Sequence, residues 1–493
     1  MASVRPPGRP DEDFDDASSA AERAASIRDR GAAGAVLLTI RAAGAQAVAF
    51  VGTVVLAHQL TPTTLGIVAF GTTIVTVGNF FADGGLGVAL IRRGDDPTVD
   101  ELRALLALQL VLALIIALGA TGIGLLAGTT GAVTAVMAWS LPFLALRAPH
   151  AIALERALEY RPIAATEFAE SLVFYAWAIA TVAAGWGVWG VATAAIARSV
   201  AGSVLMTAAS PLKVLTPRLG RGTLRSMLVF GAGFQAVGLA GLLREQGLNL
   251  VIVAVAGERV LGYWSVAYRL MQAPFWVFQA LWRVSYPTMA RLRAHGEDTR
   301  LTVQRFARVT ALLSGAMLAP LAASAHIVVP ALFGANWAPT ADPLPWACAG
   351  LVISGPISVA TAGYMYAEQG VRTPLVATVI NGVVWIGVTA ILLPPLGIAA
   401  VGIGWMVASW TEAAIFARAL HRAGVAVVGM IIVPVIAAVA SALLAFGAQT
   451  PLATSLVPGI ATAVVALAAY LALSYAFNRP DLLATARRVR SLT

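Results

Sequence analysis

Residues 105–118 read Leu105-Leu-Ala-Leu-Gln-Leu-Val-Leu-Ala-Leu-Ile-Ile-Ala-Leu118. The apolar run around them extends from 103 to 127, long enough to cross a hydrocarbon core, which takes about 20 residues in a helix. A transmembrane barrel strand would alternate polar and apolar positions, and this run does not. A helix pairs its backbone groups within one segment, which is the condition for lying in lipid.

Thirteen further runs of this kind flank it: 33–57, 63–90, 132–154, 162–185, 187–209, 227–256, 260–288, 306–332, 343–367, 373–393, 396–417, 424–447 and 455–477. The fold class read from them is an all-α polytopic membrane protein of about fourteen transmembrane helices. Composition agrees. Of 493 residues, 59% are hydrophobic and 12% charged, against roughly a quarter charged in soluble domains. So little charge leaves no polar coat for a chain this long.

The basic residues fix an orientation. With the N-terminal tail inside and strict alternation, 26 of the 33 fall in inside loops and tails, and only Arg259 falls in an outside loop. That is the asymmetry cytoplasmic loops carry, and it accounts for the net charge of +9 without nucleic acid. The expected location is therefore the cytoplasmic membrane, multi-pass, with both termini in the cytoplasm. Residues 1–30, with Asp11, Glu12, Asp13, Asp15 and Asp16, read as a disordered cytoplasmic tail rather than a signal peptide. The amphipathic segment 291–308 reads either as lying on the cytoplasmic leaflet or as a solvated loop.

An internal echo divides the chain. Ala57-His-Gln-Leu-Thr-Pro-Thr-Thr-Leu-Gly-Ile-Val-Ala-Phe70 matches Val255-Ala-Gly-Glu-Arg-Val-Leu-Gly-Tyr-Trp-Ser-Val-Ala-Tyr268 in a polar turn, a Leu-Gly and a new span. Six spans per repeat is an even number, so the halves keep one orientation and are related by an axis along the membrane normal. The expected organisation is 31–209 as an N-lobe of six spans, 210–226 as a cytoplasmic linker and 227–420 as a C-lobe of six. Two extra helices follow in 421–478, then a basic cytoplasmic tail, 479–493.

The residues around these echoes resemble a known family. His58-Gln-Leu-Thr-Pro-Thr-Thr-Leu-Gly-Ile67, Phe81-Ala-Asp-Gly-Gly-Leu-Gly-Val-Ala-Leu-Ile-Arg-Arg93 and Leu154-Glu-Arg-Ala-Leu-Glu-Tyr-Arg-Pro162 are similar to segments of the polysaccharide-transport (Wzx-type) flippases of the multidrug/oligosaccharidyl-lipid/polysaccharide exporter superfamily. Leu261–Leu270 and Arg283–Arg291 are similar to that family's eighth span. The resemblance implies translocation of an undecaprenyl-diphosphate-linked oligosaccharide from the inner to the outer leaflet, by alternating access of two lobes. It implies a lipid-linked oligosaccharide and membrane lipids as partners, together with a polysaccharide polymerase. A monomer and no cofactor are expected.

Such a substrate needs a wet, cationic cavity, and charge inside a span is costly enough to mark function by default. Arginine also matches phosphate bidentately. The candidates for diphosphate or glycan contact are Arg41, Arg269 and Arg283, with Arg244 as a further cavity cation paired to an acid elsewhere than its chain neighbour Glu245. Arg41 and Arg283 lie close enough to the inner face to snorkel to its headgroups instead. Asp83, Glu167, Glu170 and Glu245 are candidates for cation coupling or for ion pairs, Arg147 and Arg198 being placed to pair with Glu167 or Glu170. Trp264 is read as packing or as a sugar-stacking ring.

No catalytic residue or metal site emerges. Cys348 is alone, the five histidines lack ligand spacing, and no Walker or G-x-S-x-G motif occurs. The outer loops are too short for a glycosyltransferase or polymerase site. Within transporters, a lipid II flippase and a drug/cation antiporter remain the alternatives. The antiporter would favour acidic residues in the cavity and twelve spans.

Overall fold

The computed structural model describes residues 44–92, 95–218, 221–294, 299–368, 372–447 and 455–490. Arg41 and the acidic tail lie outside the described residues. The described chain is helical throughout its apolar runs: α1 (44–59), α2 (Pro62–Asp83), α3 (Leu86–Arg92), α4 (Val99–Gly124), α5 (Gly128–Ala138), α6 (Leu141–Arg156), α7 (Tyr160–Thr181), α8 (Val188–Ala209), α9 (Arg221–Ala294), α10 (Arg300–Phe333), α11 (Pro343–Glu368), α12 (Arg372–Leu396), α13 (Ala399–Arg422), α14 (Val428–Gly447) and α15 (Leu456–Arg490). Among the described residues, twelve helical stretches are long and apolar enough to cross a membrane. The protein is an all-α multi-pass membrane protein.

Local chemistry sets the helix starts. Thr61 accepts from the Thr64 N–H at 3.2 Å with Pro62 in the first turn, so Thr-Pro-Thr-Thr is an N-terminal cap. Thr98 and Glu101 form a reciprocal capping box at α4.

Two expected spans are corrected and one boundary is kept. The second span is broken into α2 and α3 where Gly84 and Gly85 adopt positive φ (61° and 72°), a conformation glycine enters without steric cost. The fourth is broken into α5 and α6. The seventh and eighth meet within α9, where Gly257 leaves helical geometry at φ 80° and ψ 176°, at the turn expected between them. The segment 291–308 is neither a surface helix nor a loop for most of its length: Arg291–Ala294 extend α9, and α10 begins at Arg300.

Packing partners recur with a shift of six spans. In the first set, α4 packs on α5 and α6, α7 on α8, α6 on α8, and α2 on α5. In the second, α10 packs on α11, α12 on α13, α11 on α13, and α9 on α11. Helices α14 and α15 pack on α10 alone of the larger helices, apart from each other and a lesser contact of α14 with α11. The outer faces of α14 and α15 expose Leu443, Leu444, Val457 and Val464, as lipid-facing helices do.

The two sets are joined chiefly by α2 against α9. Their crossing is reciprocal. A Cβ added at Gly66 would overlap the Glu258 carbonyl, and one added at Gly262 would overlap the Pro62 carbonyl. Each glycine sits on the carbonyl four residues before the other, so a local two-fold axis passes between them. Small residues let helix backbones approach this closely in lipid. Gly262→Val is expected to cost about 1–3 kcal/mol by overpacking and to lower the unfolding midpoint in scanning fluorimetry. An unchanged midpoint would contradict the close crossing.

Candidate functional site

A cavity of about 230 Å³ lies beside this crossing, walled by α1, α2, α7 and α8 from the first set and by α9 and α12 from the second. Its polar groups come from helices whose remaining faces are apolar: Thr53 on α1, Thr72 and Thr76 on α2, and Glu245, Asn249 and Arg269 on α9. The wall contributed by the second set is aromatic. Trp264 packs against Trp385 and Trp405 at ring-centroid distances of 6.0 and 5.8 Å. Trp264 is buried, so its role here is packing of the wall.

Arg269 is the one cation among the described residues that line the cavity. Its Nη1 donates to Thr53 Oγ1 at 2.8 Å and to Tyr175 Oη at 2.6 Å. It therefore reaches from the second helical set into the first. Thr53 and Tyr175 are 6% and 8% exposed, and the bare Cα of Gly52 makes room for the Tyr175 ring. Neither acceptor was singled out from sequence. A threonine and a tyrosine in apolar helices are commonplace, and only the fold brings α1 and α7 to α9.

Of the other described sequence candidates, Glu245 lines the same cavity without bonding to this node. Arg283 falls in α9, and its side chain is outside the described residues. Arg244 donates to Glu245 Oε1 at 3.2 Å. This corrects the expectation that chain neighbours cannot pair: helix spacing separates their Cβ atoms, but the long guanidinium stem folds back. The Arg244 stem also lies against Gly382 of α12, and its buried Nε has no hydrogen-bond partner. Asn381, next to Gly382, donates to Glu412 at 3.1 Å.

Glu170 is 2% exposed and is held by Arg147 and by Arg198, the latter at 3.4 Å. This is the pairing anticipated for those two arginines. Gly202 leaves the space the carboxylate fills. Asp83 accepts from Gln109 Nε2 at 2.9 Å and from the backbone N–H groups of Gly85 and Gly87, so it caps the turn into α3 and ties it to α4. It borders a second, smaller cavity of about 160 Å³ with Asn79, Gln109 and Arg147. Gln109 was missed in the sequence, although it is the one polar residue of the run 105–118.

Twelve candidate spans among the described residues and a polar cavity between two repeated helix sets define a polytopic membrane protein with a central polar site. The sequence profile of the polysaccharide biosynthesis protein family matches residues 55–342, and the chain belongs to that family. Among solved structures, it is similar to a lipid II flippase MurJ in an inward closed conformation, with a TM-score of 0.73 and 13% identity, covering 91% of this chain and 100% of the other. It is also similar to an inward-facing multidrug resistance MATE transporter of the MOP superfamily, with a TM-score of 0.57 and 16% identity, covering 78% of this chain and 98% of the other. No curated protein matches the chain.

Proposed function

We propose that the protein is a flippase that moves undecaprenyl-diphosphate-linked oligosaccharide across the cytoplasmic membrane for surface polysaccharide biosynthesis. The observation that carries this reading is Arg269, a guanidinium inside the interlobe cavity of a chain from the polysaccharide biosynthesis family. A diphosphate can take the place of Thr53 and Tyr175 at that guanidinium, because it offers full negative charge in a bidentate arrangement where they offer single neutral oxygens. The prenyl tail stays in lipid. Residues 31–209 and 227–420 act as the two lobes, with both termini cytoplasmic.

The cavity of about 230 Å³ is smaller than the roughly 300–1,000 Å³ of ligand pockets that hold drug-sized molecules. A lipid-linked oligosaccharide therefore needs more room than this cavity offers. Alternating access opens it by rocking the lobes about the Gly66–Gly262 crossing. No bond is made or broken in the substrate, so the protein acts as a transporter and not as an enzyme. It works as a monomer and hands its substrate on to a polysaccharide polymerase.

A lipid II flippase is the second reading, favoured by the likeness to MurJ over 91% of the chain. Gene deletion separates the two. The expected outcome is a viable strain that lacks one surface polysaccharide and accumulates lipid-linked repeat units inside. Lysis on depletion, with surface glycan intact, would transfer the assignment to lipid II.

A further inference from the structure

The smaller cavity has features that its structural ties leave unexplained. Gln109 is 3% exposed, and while its Nε2 is bonded to Asp83, its buried Oε1 has no partner. A buried acceptor left without a donor costs about 1–3 kcal/mol, and this one belongs to a residue lining an open space. Asn79 enters the same space from α2, exposed, and Arg147 lies opposite.

The two cavities border one face of α2. Thr72, Thr76, Asn79 and Asp83 follow each other at intervals of four, three and four residues, which places them in a row on α2. The first two line the central cavity and the last two the smaller one. Thr72 and Thr76 donate their hydroxyl protons to the carbonyls of Val68 and Thr72, each at 2.8 Å. Their oxygens are left able to accept.

Charge decides what the smaller cavity takes. Both charges that face this volume are already answered, Arg147 by Glu170 and Asp83 by Gln109 and the Gly85 and Gly87 N–H groups. A bound cation would meet Arg147, and a bound anion would meet Asp83. A neutral group with many hydroxyls meets neither penalty. It can donate to Asp83 and, once the buried Gln109 amide turns toward it, to Oε1, and it can accept from Asn79 Nδ2 and Arg147. We propose that the smaller cavity is a sugar subsite, which seats one pyranose ring of the glycan while the diphosphate lies at Arg269. The α2 row carries the hydroxyls between the two. This rests on the flippase reading above and extends it to recognition of the glycan.

The test uses the full-length protein in nanodiscs and two probes. One is undecaprenyl diphosphate. The other is the lipid-linked oligosaccharide pool extracted from cells lacking the gene. Wild type is expected to bind the glycosylated pool about tenfold more tightly, an advantage of about 1.4 kcal/mol. Gln109→Leu and Asn79→Ala should each erase that advantage and leave the affinity for undecaprenyl diphosphate unchanged, whereas Arg269→Ala weakens both. Asn79 is exposed, so its variant keeps the test alive should Gln109→Leu fail to fold. The proposal is overturned if either folded variant retains the glycan advantage or loses affinity for both probes alike. Sodium-dependent stabilisation of wild type that Gln109→Leu abolishes would also overturn it, by assigning the cavity to a cation. Failure of wild-type protein to bind undecaprenyl diphosphate at all would instead remove the parent reading.

Discussion

Arg269→Ala is expected to abolish export of the surface polysaccharide while leaving normal amounts of protein in the membrane. The variant removes two bonds that cross between the helical sets, to Thr53 and to Tyr175. Bonds involving a charged partner contribute about 1.5–3 kcal/mol each, so losing the phosphate's share alone lowers binding by a factor on the order of ten to a hundred. Folding survives for a specific reason. Thr53 Oγ1 and Tyr175 Oη are already 3.4 Å apart and can bond each other once the guanidinium is gone, and Thr53 also donates to the Ala49 carbonyl at 2.7 Å. Arg269→Lys keeps the charge but loses the planar fork, and is expected to export weakly rather than normally. The measurement is complementation of a deletion strain, read by surface glycan and by immunoblot of the membrane fraction. Full export by Arg269→Ala would remove the foundation of the proposed function.

Glu170→Ala is expected to have the opposite profile, a loss of protein rather than of chemistry. The carboxylate is 2% exposed and answers both Arg147 and Arg198. Removing one member of a buried ionic group leaves uncompensated charge and costs about 3–5 kcal/mol. Arg147 carries most of that cost, since its side chain is 29% exposed against 51% for Arg198. Arg198→Ala should accordingly be mild. The expected readings are a lowered unfolding midpoint and depleted membrane protein for Glu170→Ala, and near-normal values for Arg198→Ala. Equal stability of Glu170→Ala and wild type would show the group to be dispensable to the fold.

The sequence carried the architecture well, because lipid imposes simple rules. Apolar runs, the segregation of arginine and the Leu65-Gly66 and Leu261-Gly262 echo each have one physical cause, and the echo proved to be the joint between the sets. Boundaries failed inside spans, where Gly84 and Gly85 split the second and a turn at 139–140 splits the fourth, while Gly257 parts the seventh from the eighth where the sequence placed the turn. The site was legible in part. Arg269 announced itself as a charge in an apolar helix, but Thr53, Tyr175 and Gln109 are neutral and become distinctive only through long-range packing. Arg244 shows a further limit, since helix spacing governs Cβ separations and not the reach of a guanidinium.

The Gly66–Gly262 crossing has a mechanical corollary. A fulcrum built from two equal halves has no preferred side: each set presses on it through the same carbonyl-to-glycine seat, so it stores no bias toward either tilt of the molecule. In the proposed alternating-access cycle, any directionality must then originate in parts that occur once. Arg269, the row on α2 with Gln109 behind it, and the appended pair α14–α15 are such parts. The pivot is shared property of the two halves, and the direction of travel belongs to what they do not share.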